Sequence, residues 1–304
     1  MSDFDEDEVL KADSEDEEQE RENDHEQTEP CSLTQDIIAK GLSLLCRTGN
    51  GLSHAYVRLD LKNKALSDLA LLSSFIHLRY LDISSNRLSD LSPLTGLTHL
   101  LWVKGDSNLI EKFEEHWLEQ LTYLQWLSLA SNRLCDVKGL GAPALESLNL
   151  TSNGIRTMQG LEYHKLTNLV TLELRGNSLE TTDGIYLPNL RHLYLAKNNI
   201  KQLEGLERLE HLNTLHLRDN QLESLNGINA SMKSLHYLNI RGNLISSQSA
   251  LETLVSVGKS LKVLVLLDNP LAMTDDYRLY VISHLPQLER LDKDPITADE
   301  NEYE

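Results

Sequence analysis

Residues 190–200 read LRHLYLAKNNI, and this pattern decides the fold of the 304-residue chain. Leu193 and Leu195 alternate with polar or aromatic neighbours, which is typical of a short strand with one buried face. Asn198 follows the strand, and its amide can both donate to and accept from backbone groups that a turn leaves unpaired. The stretch therefore predicts a buried strand followed by a turn that an asparagine side chain stabilises.

The same pattern, L-x-x-L-x-L-x-x-N-x-L, recurs along the chain. The asparagine is kept in nine copies, 21 to 26 residues apart, at Asn86, Asn108, Asn132, Asn153, Asn177, Asn198, Asn220, Asn243 and Asn269. A further N-terminal copy has Tyr56, Leu59, Leu61 and Leu66, with Lys64 in the asparagine position. Repeats of this kind stack because one repeat cannot bury its apolar face alone. We predict an α/β solenoid, a leucine-rich-repeat horseshoe of about ten coils with a structural asparagine ladder.

The segments that return from one strand to the next have apolar residues at every third position, as in Leu203, Leu206, Leu209 and Leu212. This spacing predicts 3₁₀ or short helices on the convex face, with the short parallel strands on the concave face.

One repeat is irregular. Gly105 takes an inward strand position, and residues 111–121 are long enough for an α-helix that carries Phe113, Trp117 and Leu118. We expect these large side chains to fill the volume that Gly105 leaves.

Both ends of the solenoid have capping patterns. Ser32 and Gln35 have the spacing of a capping box, and Ile37, Ile38, Leu42 and Leu45 recur on one helical face, which predicts a capping helix and turn over residues 32–55. The repeats then occupy residues 56–271. After Asn269 the order Tyr277-Arg278, Leu285-Pro286, Leu288 and Leu291 resembles the C-terminal cap of intracellular leucine-rich-repeat proteins, here over residues 272–296.

Charge separates the ends from the body. Residues 1–30 carry a net charge of −13, residues 31–291 carry −1 and residues 292–304 carry −5. Residues 1–31 are predicted to be a disordered acidic tail, and residues 297–304 a short acidic tail. The first tail either only solubilises the chain, contacts a basic partner, or is phosphorylated at Ser14. The neutral body argues against nonspecific nucleic-acid or anionic-membrane binding.

The cellular compartment is predicted from the lack of an evident membrane-spanning segment and signal peptide. We find neither an apolar run of about 20 residues nor a signal peptide, so we expect a cytoplasmic protein without a membrane span. Cys31, Cys46 and Cys135 are far apart and odd in number, which favours reduced thiols over disulfides or a zinc site.

No catalytic motif is evident. Gly49-x-Gly51 lacks the third glycine of a dinucleotide fingerprint, and the histidines form no metal-binding pattern. We predict a non-enzymatic protein with no cofactor and no metal, whose function depends on its surface.

Side chains between the buried strand leucines project from the concave face, and two patches result. The first is an aromatic row on three consecutive coils, Tyr80, Trp102 and Trp126. The second combines basic and aromatic residues, Arg175, His192, Tyr194, His216, Arg218, Tyr237 and Arg241. We predict that both bind protein partners, the second through an acidic peptide or helix. In the alternative, the rings cover one another and the arginines pair with neighbours such as Glu173 and Asp219.

Beyond the generic repeat, several stretches resemble one family, leucine-rich repeat-containing protein 23. They are Gly41–Val57, His77–Tyr80, Leu91–Leu94, Leu97–Trp102, Thr214–Asn220 and Val265–Pro270, within a match over about residues 33–293. The resemblance implies a radial-spoke component of motile cilia and sperm flagella. It implies radial-spoke head proteins as partners, an axonemal location in the cytoskeleton, and a monomeric solenoid within a larger assembly.

Other classes of protein share the repeat. A phosphatase-regulating subunit would use the concave aromatic residues to hold a catalytic chain. A spliceosomal-type module would hold an RNA-binding partner in the nucleus. Native pull-downs and the location in the cell distinguish these alternatives.

Overall fold

The computed structural model describes residues 29–113 and 117–301. The chain divides into two units, Met1–Pro30 and Cys31–Glu304. The predicted acidic tail lies almost wholly outside the described residues, and the folded architecture belongs to the second unit.

The described part of the second unit contains one sheet of thirteen strands in sequential order. The strands are β1 (Leu42–Arg47), β2 (His54–Asp60), β3 (Tyr80–Asp82), β4 (Trp102–Lys104), β5 (Trp126–Ser128), β6 (Ser147–Asn149), β7 (Thr171–Glu173), β8 (His192–Tyr194), β9 (Thr214–His216), β10 (Tyr237–Asn239), β11 (Val263–Val265), β12 (Arg290–Leu291) and β13 (Asp294–Pro295). Neighbours from β2 to β12 are parallel, as in β8 and β9, whereas the terminal pairs β1–β2 and β12–β13 are antiparallel. The predicted solenoid is confirmed.

The returns are mostly single turns of 3₁₀-helix, as the three-residue spacing predicts. They are Ala70–Ser74, Ser92–Leu94, Leu118–Gln120, Tyr163–Lys165, Leu206–Arg208 and Pro270–Met273. Two returns contain an α-helix: α2 (Ser249–Val255) lies between β10 and β11, and Tyr277–His284, part of the C-terminal cap, lies between β11 and β12. The inward leucines of strands and returns, such as Leu193, Leu206 and Leu212, are fully buried. Each contributes about 1.5–3 kcal/mol by leaving water.

The asparagine side chains tie each coil to the one before it. The Nδ2 of Asn198 donates to the carbonyl oxygens of Leu174, Leu195 and Ala196 at 2.9, 3.1 and 3.3 Å, and its Oδ1 accepts from the Leu179 amide at 3.0 Å. Asn86, at the N-terminal end, accepts from the amides of both Lys64 and Leu66. Buried backbone groups that the turn leaves unpaired thus gain partners.

The N-terminal cap differs from the prediction. Helix α1 spans only Gln35–Gly41, and its N-cap is Thr34, whose hydroxyl accepts from the Ile37 amide at 3.3 Å. The predicted capping residue Ser32 and the predicted helical residues Leu42 and Leu45 are therefore wrong. The helix ends at Gly41, where a Cβ would collide with the Asp60 carbonyl oxygen, and the backbone of the following Leu42 is extended.

Leu42 and Leu45 lie instead on β1, which pairs with β2 and so satisfies the backbone of the first coil. The pairing passes over Leu44, whose φ of +58° breaks the pleat of this edge strand. Tyr56 takes the place of a core leucine in the repeat pattern, but it is 49% exposed.

The irregular coil is filled differently from the prediction. A Cβ on Gly105 would lie 2.9 Å from the Leu129 Cδ2 and 3.8 Å from the Ile83 Cδ1, so side chains of the adjacent coils occupy this volume. Phe113 and Trp117 are buried in the core, but neither supplies one of the three atoms nearest to that Cβ position. The predicted α-helix in residues 111–121 is represented by the 3₁₀-helix Leu118–Gln120, and residues 114–116 lie outside the described residues.

The C-terminal cap consists of α3 (Tyr277–His284), β12 and β13. Along the sheet, the amide after each strand donates to the next strand, as Ile240 does to the Val265 carbonyl oxygen at 2.9 Å. After β11, the carboxylate of Asp292 replaces that carbonyl and accepts from the amides of Leu266 and Leu267 at 2.7 and 3.1 Å. Asp292 thereby ends the series of parallel strand contacts, and β13 continues the sheet in the antiparallel direction.

Part of the predicted C-terminal acidic tail is ordered. Ala298–Asn301 form one helical turn, α4. The Glu300 carboxylate accepts from the Arg278 Nε at 2.6 Å, which ties this turn to the cap. The acidic residues here belong partly to the cap and not only to a tail.

Candidate protein-binding surface

The parallel register places equivalent concave residues side by side. Tyr80 pairs with Trp102, and Trp102 pairs with Trp126, in consecutive strands. Because the residues between the inward leucines point to the opposite face of the sheet, the three side chains form a row. We call Tyr80, Trp102 and Trp126 the aromatic row.

The two indole rings of the aromatic row stack. Their centroids are 4.7 Å apart and their planes differ by 8°. Both rings are half-buried, and Tyr80 is 36% exposed. Beside them is a cavity of about 230 Å³ lined by Arg58, Leu59, Tyr80, Asp82 and Trp102. The row thus offers a rigid aromatic surface that is open to a partner.

Two carboxylates lie in the coils around Trp126. Asp106 accepts from the Ser128 hydroxyl at 2.5 Å and from the Ala130 amide at 2.9 Å, so its carboxylate lies over the β5 coil. Glu173 is half-buried at the end of β7. Burial raises the pKa of Glu173, and the negative charge of Asp106 raises it further. The central concave face therefore carries two carboxylates that repel each other.

The second predicted patch is mostly closed. His192, His216 and Tyr237 are only 7%, 6% and 6% exposed. The His216 ring lies between Tyr194 and Tyr237, with centroid distances of 5.1 and 4.9 Å, because rings on adjacent strands stack at the strand spacing. His192, His216 and Tyr237 are therefore largely covered in this structure, and their role as partner contacts stays a prediction. Tyr194 is half-exposed.

The arginines of this patch are half-buried, and two of them have acidic neighbours. Arg218 Nε lies 3.2 Å from an Asp219 carboxylate oxygen, and Arg241 Nε lies 2.6 Å from that of Asp268. These ion pairs reduce the basic character that the sequence suggests. These ion pairs are contacts of the kind that the self-paired alternative predicts. Arg175 is half-buried and follows β7, and the partner-binding role of the three arginines stays a prediction.

Sequence reasoning missed a second aromatic row along the edge of the same coils. His99 lies between His77 and Tyr123, with ring centroids 6.5 and 6.4 Å away. These residues occupy the position just before the first core leucine of each repeat, so the register itself was a signal for them. Together with the aromatic row, they concentrate rings on coils β3 to β5.

Within residues 29–113 and 117–301, no three His, Cys, Asp or Glu side chains are grouped so that they could hold a metal ion. In the same ranges, no helix has the length and apolarity that crossing a membrane requires.

The curved parallel sheet, the leucine core and the asparagine bridges define a leucine-rich-repeat protein. Family models described as leucine-rich repeat match residues 76–134 and 171–303. Among curated relatives, leucine-rich repeat-containing protein 23 of Homo sapiens is 50% identical over 265 residues, covering 87% of this chain and 76% of the relative. The Mus musculus protein is 47% identical, covering 92% and 81%. The chain belongs to the leucine-rich repeat-containing protein 23 family.

Solved structures agree on the fold. The chain resembles a leucine-rich-repeat protein of Leptospira interrogans with a TM-score of 0.56 at 24% identity, covering 79% of this chain and 72% of the other. A Listeria monocytogenes internalin gives a TM-score of 0.52 at 20% identity, covering 82% and 86%. At these identities the likeness concerns the architecture alone.

Proposed function

We propose that this protein is a non-catalytic scaffold of the radial spoke in the axoneme of motile cilia or sperm flagella. Membership of the leucine-rich repeat-containing protein 23 family supports this role, because the resemblance implies a spoke component. The proposed partners are radial-spoke head proteins, and the proposed location is the ciliary or flagellar cytoskeleton. In this role the protein binds other chains and needs no cofactor.

The observation that carries the binding role is the stacked pair Trp102 and Trp126. Each indole is half-buried on a curved sheet, where stacking restricts its rotation before any partner arrives. Anchors of this kind lose little conformational freedom on binding, and tryptophan is enriched among residues that dominate interface energies. The aromatic row is therefore the proposed partner-contact surface.

Proximity labelling in motile ciliated cells tests the proposal. The full chain, fused to a labelling enzyme, is expected to label radial-spoke head proteins. The Trp102→Ala/Trp126→Ala variant should lose that labelling, since removing two such anchors costs at least about 2 kcal/mol of binding. Tyr163→Ala is the matched control, because Tyr163 is an exposed aromatic residue on a return.

Three outcomes would contradict the proposal. Labelling of a phosphatase catalytic chain without axonemal proteins would favour the regulatory-subunit alternative. A nuclear location with labelled RNA-binding proteins would favour the spliceosomal-type alternative. If a folded double-tryptophan variant still labelled the spoke proteins, the aromatic row would not be the contact surface.

A further inference from the structure

We propose that the concave face binds a cationic side chain, lysine or arginine, from a basic segment of the partner, held between Asp106 and Glu173 beside Trp126. The inference rests on the proposed binding role of the concave face and adds the chemistry of the partner.

The arrangement begins with where the two carboxylates lie. The hydrogen bonds from Ser128 and Ala130 hold the Asp106 carboxylate over the β5 coil. Glu173 stands two strands further along, at the end of β7. Strands are about 4.8 Å apart, so the distance from the β5 coil, which the Asp106 side chain reaches, to the β7 coil is about 10 Å, and the gap lies above β6. Ser128 and the half-buried Asn149 form its polar floor.

The electrostatics of this gap are unfavourable without a partner. Burial and the charge of Asp106 both raise the pKa of Glu173. Lys104 approaches Asp106 only at 3.9 Å and from the β4 side, away from Glu173. A positive charge placed between the two carboxylates would replace their repulsion with attraction, which is stronger in a partly desolvated site.

The Trp126 indole provides an additional contact for the side chain of a lysine or arginine. Its indole is stacked on Trp102 on one face, and both rings stay half-buried beside the gap. The aliphatic stem of a lysine or arginine can pack on such a ring while the charged end reaches a carboxylate, and a cation near an indole gains further attraction. A neutral or acidic segment would gain neither contribution.

Titration of the full chain with deca-arginine, followed by tryptophan emission, tests the proposal. All proteins carry Trp117→Phe, which removes the third tryptophan. Emission then reports the Trp102–Trp126 pair, so attraction of the probe to acidic segments elsewhere in the chain does not count as binding. Deca-arginine is expected to change the emission and deca-glutamate is not. Asp106→Asn/Glu173→Gln should weaken the apparent affinity at least about tenfold, because charge-assisted hydrogen bonds are lost.

The controls separate this effect from unfolding and from net charge. Asp106→Asn keeps an acceptor for Ser128 and Ala130, and removing the repulsion should leave the melting temperature unchanged or raised. Glu207→Gln/Glu210→Gln removes the same number of charges from exposed residues between β8 and β9 and should change the affinity less than about twofold, as for other solvated charges. An equal loss in this control, or no emission change with deca-arginine, would overturn the proposal.

The same variants in the labelling experiment distinguish the two proposals. If Trp102→Ala/Trp126→Ala abolishes spoke labelling but Asp106→Asn/Glu173→Gln leaves it unchanged, the aromatic contact holds and the cation site is wrong. If a folded double-tryptophan variant also keeps the labelling, the proposed binding role of the concave face fails as well.

Discussion

The indole rings of Trp102 and Trp126 lie parallel, 4.7 Å apart, on adjacent strands of the concave sheet. The distance equals the spacing of parallel strands, so the sheet itself sets the stacking. Two large rings are thus held in one orientation while each stays partly exposed. This relationship links the periodicity of the chain to its proposed contact surface.

The stacking should be measurable as a coupling energy. In a double-mutant cycle of Trp102→Ala, Trp126→Ala and both together, urea unfolding should give a coupling of about 0.5–1.5 kcal/mol, as for other aromatic pairs. The same cycle with Trp102→Ala and Tyr163→Ala is the control and should be additive. A coupling within the error of the control pair would mean that the rings do not stack in solution.

The asparagine bridges should contribute strongly to stability. Asn198→Ala removes partners from the Leu179 amide and from the Leu174 and Leu195 carbonyl oxygens, which are buried. We expect a loss of about 2–4 kcal/mol in the free energy of unfolding. Asn199→Ala, at the exposed neighbouring position, should change it by less than about 0.5 kcal/mol. Similar losses for both variants would contradict the bridging role.

Gly105 should tolerate a methyl group only poorly. In Gly105→Ala the new Cβ would meet Leu129 Cδ2 at 2.9 Å, which forces that side chain to shift and costs about 1–2 kcal/mol. Gly96→Ala places its Cβ in open space and is the matched control. Thermal unfolding compares the two variants. A stabilised Gly105→Ala chain would mean that this coil is underpacked.

His216 should make the protein less stable in mild acid. Burial, together with the Arg218 charge, lowers the pKa of His216 from 6.5 to about 4. The unfolded chain therefore binds a proton between these values while the folded chain does not, so stability is lost as pH falls through this window. The loss attributable to His216 is about 2 kcal/mol between pH 7 and pH 5.

His216→Phe keeps the ring between Tyr194 and Tyr237 and removes this titration. Its free energy of unfolding should thus fall less than that of the unmodified chain over the same pH range, as measured by urea unfolding at several pH values. His211→Phe, at an exposed position, controls for the loss of a histidine. Parallel pH profiles for His216→Phe and the unmodified chain would refute the assignment.

The fold was predictable because its signal is repeated. The leucine spacing around Asn198 recurs in every coil, so one local pattern predicts the whole sheet. The short cap had no such repetition. Apolar residues at Leu42 and Leu45 fit a helix and a strand equally well, and only pairing with β2 decides between them.

The binding surface was less predictable because burial and pairing depend on neighbouring coils. The register correctly aligned Tyr80, Trp102 and Trp126 on adjacent strands. It could not show that Asp268, 27 residues away, neutralises Arg241. The register also could not show that the coils bring Asp106 close enough to Glu173 to raise the pKa of Glu173.

The distorted residue Leu44 has a consequence for how copies of the chain meet. The outer edge of β1 is where another chain would extend the sheet, and Leu44 and Leu45 on it are more than half exposed. With its left-handed backbone at Leu44, this edge does not offer evenly spaced amides and carbonyls to an incoming strand. The backbone at Leu44 thus disfavours end-to-end polymerisation of the chain through this edge.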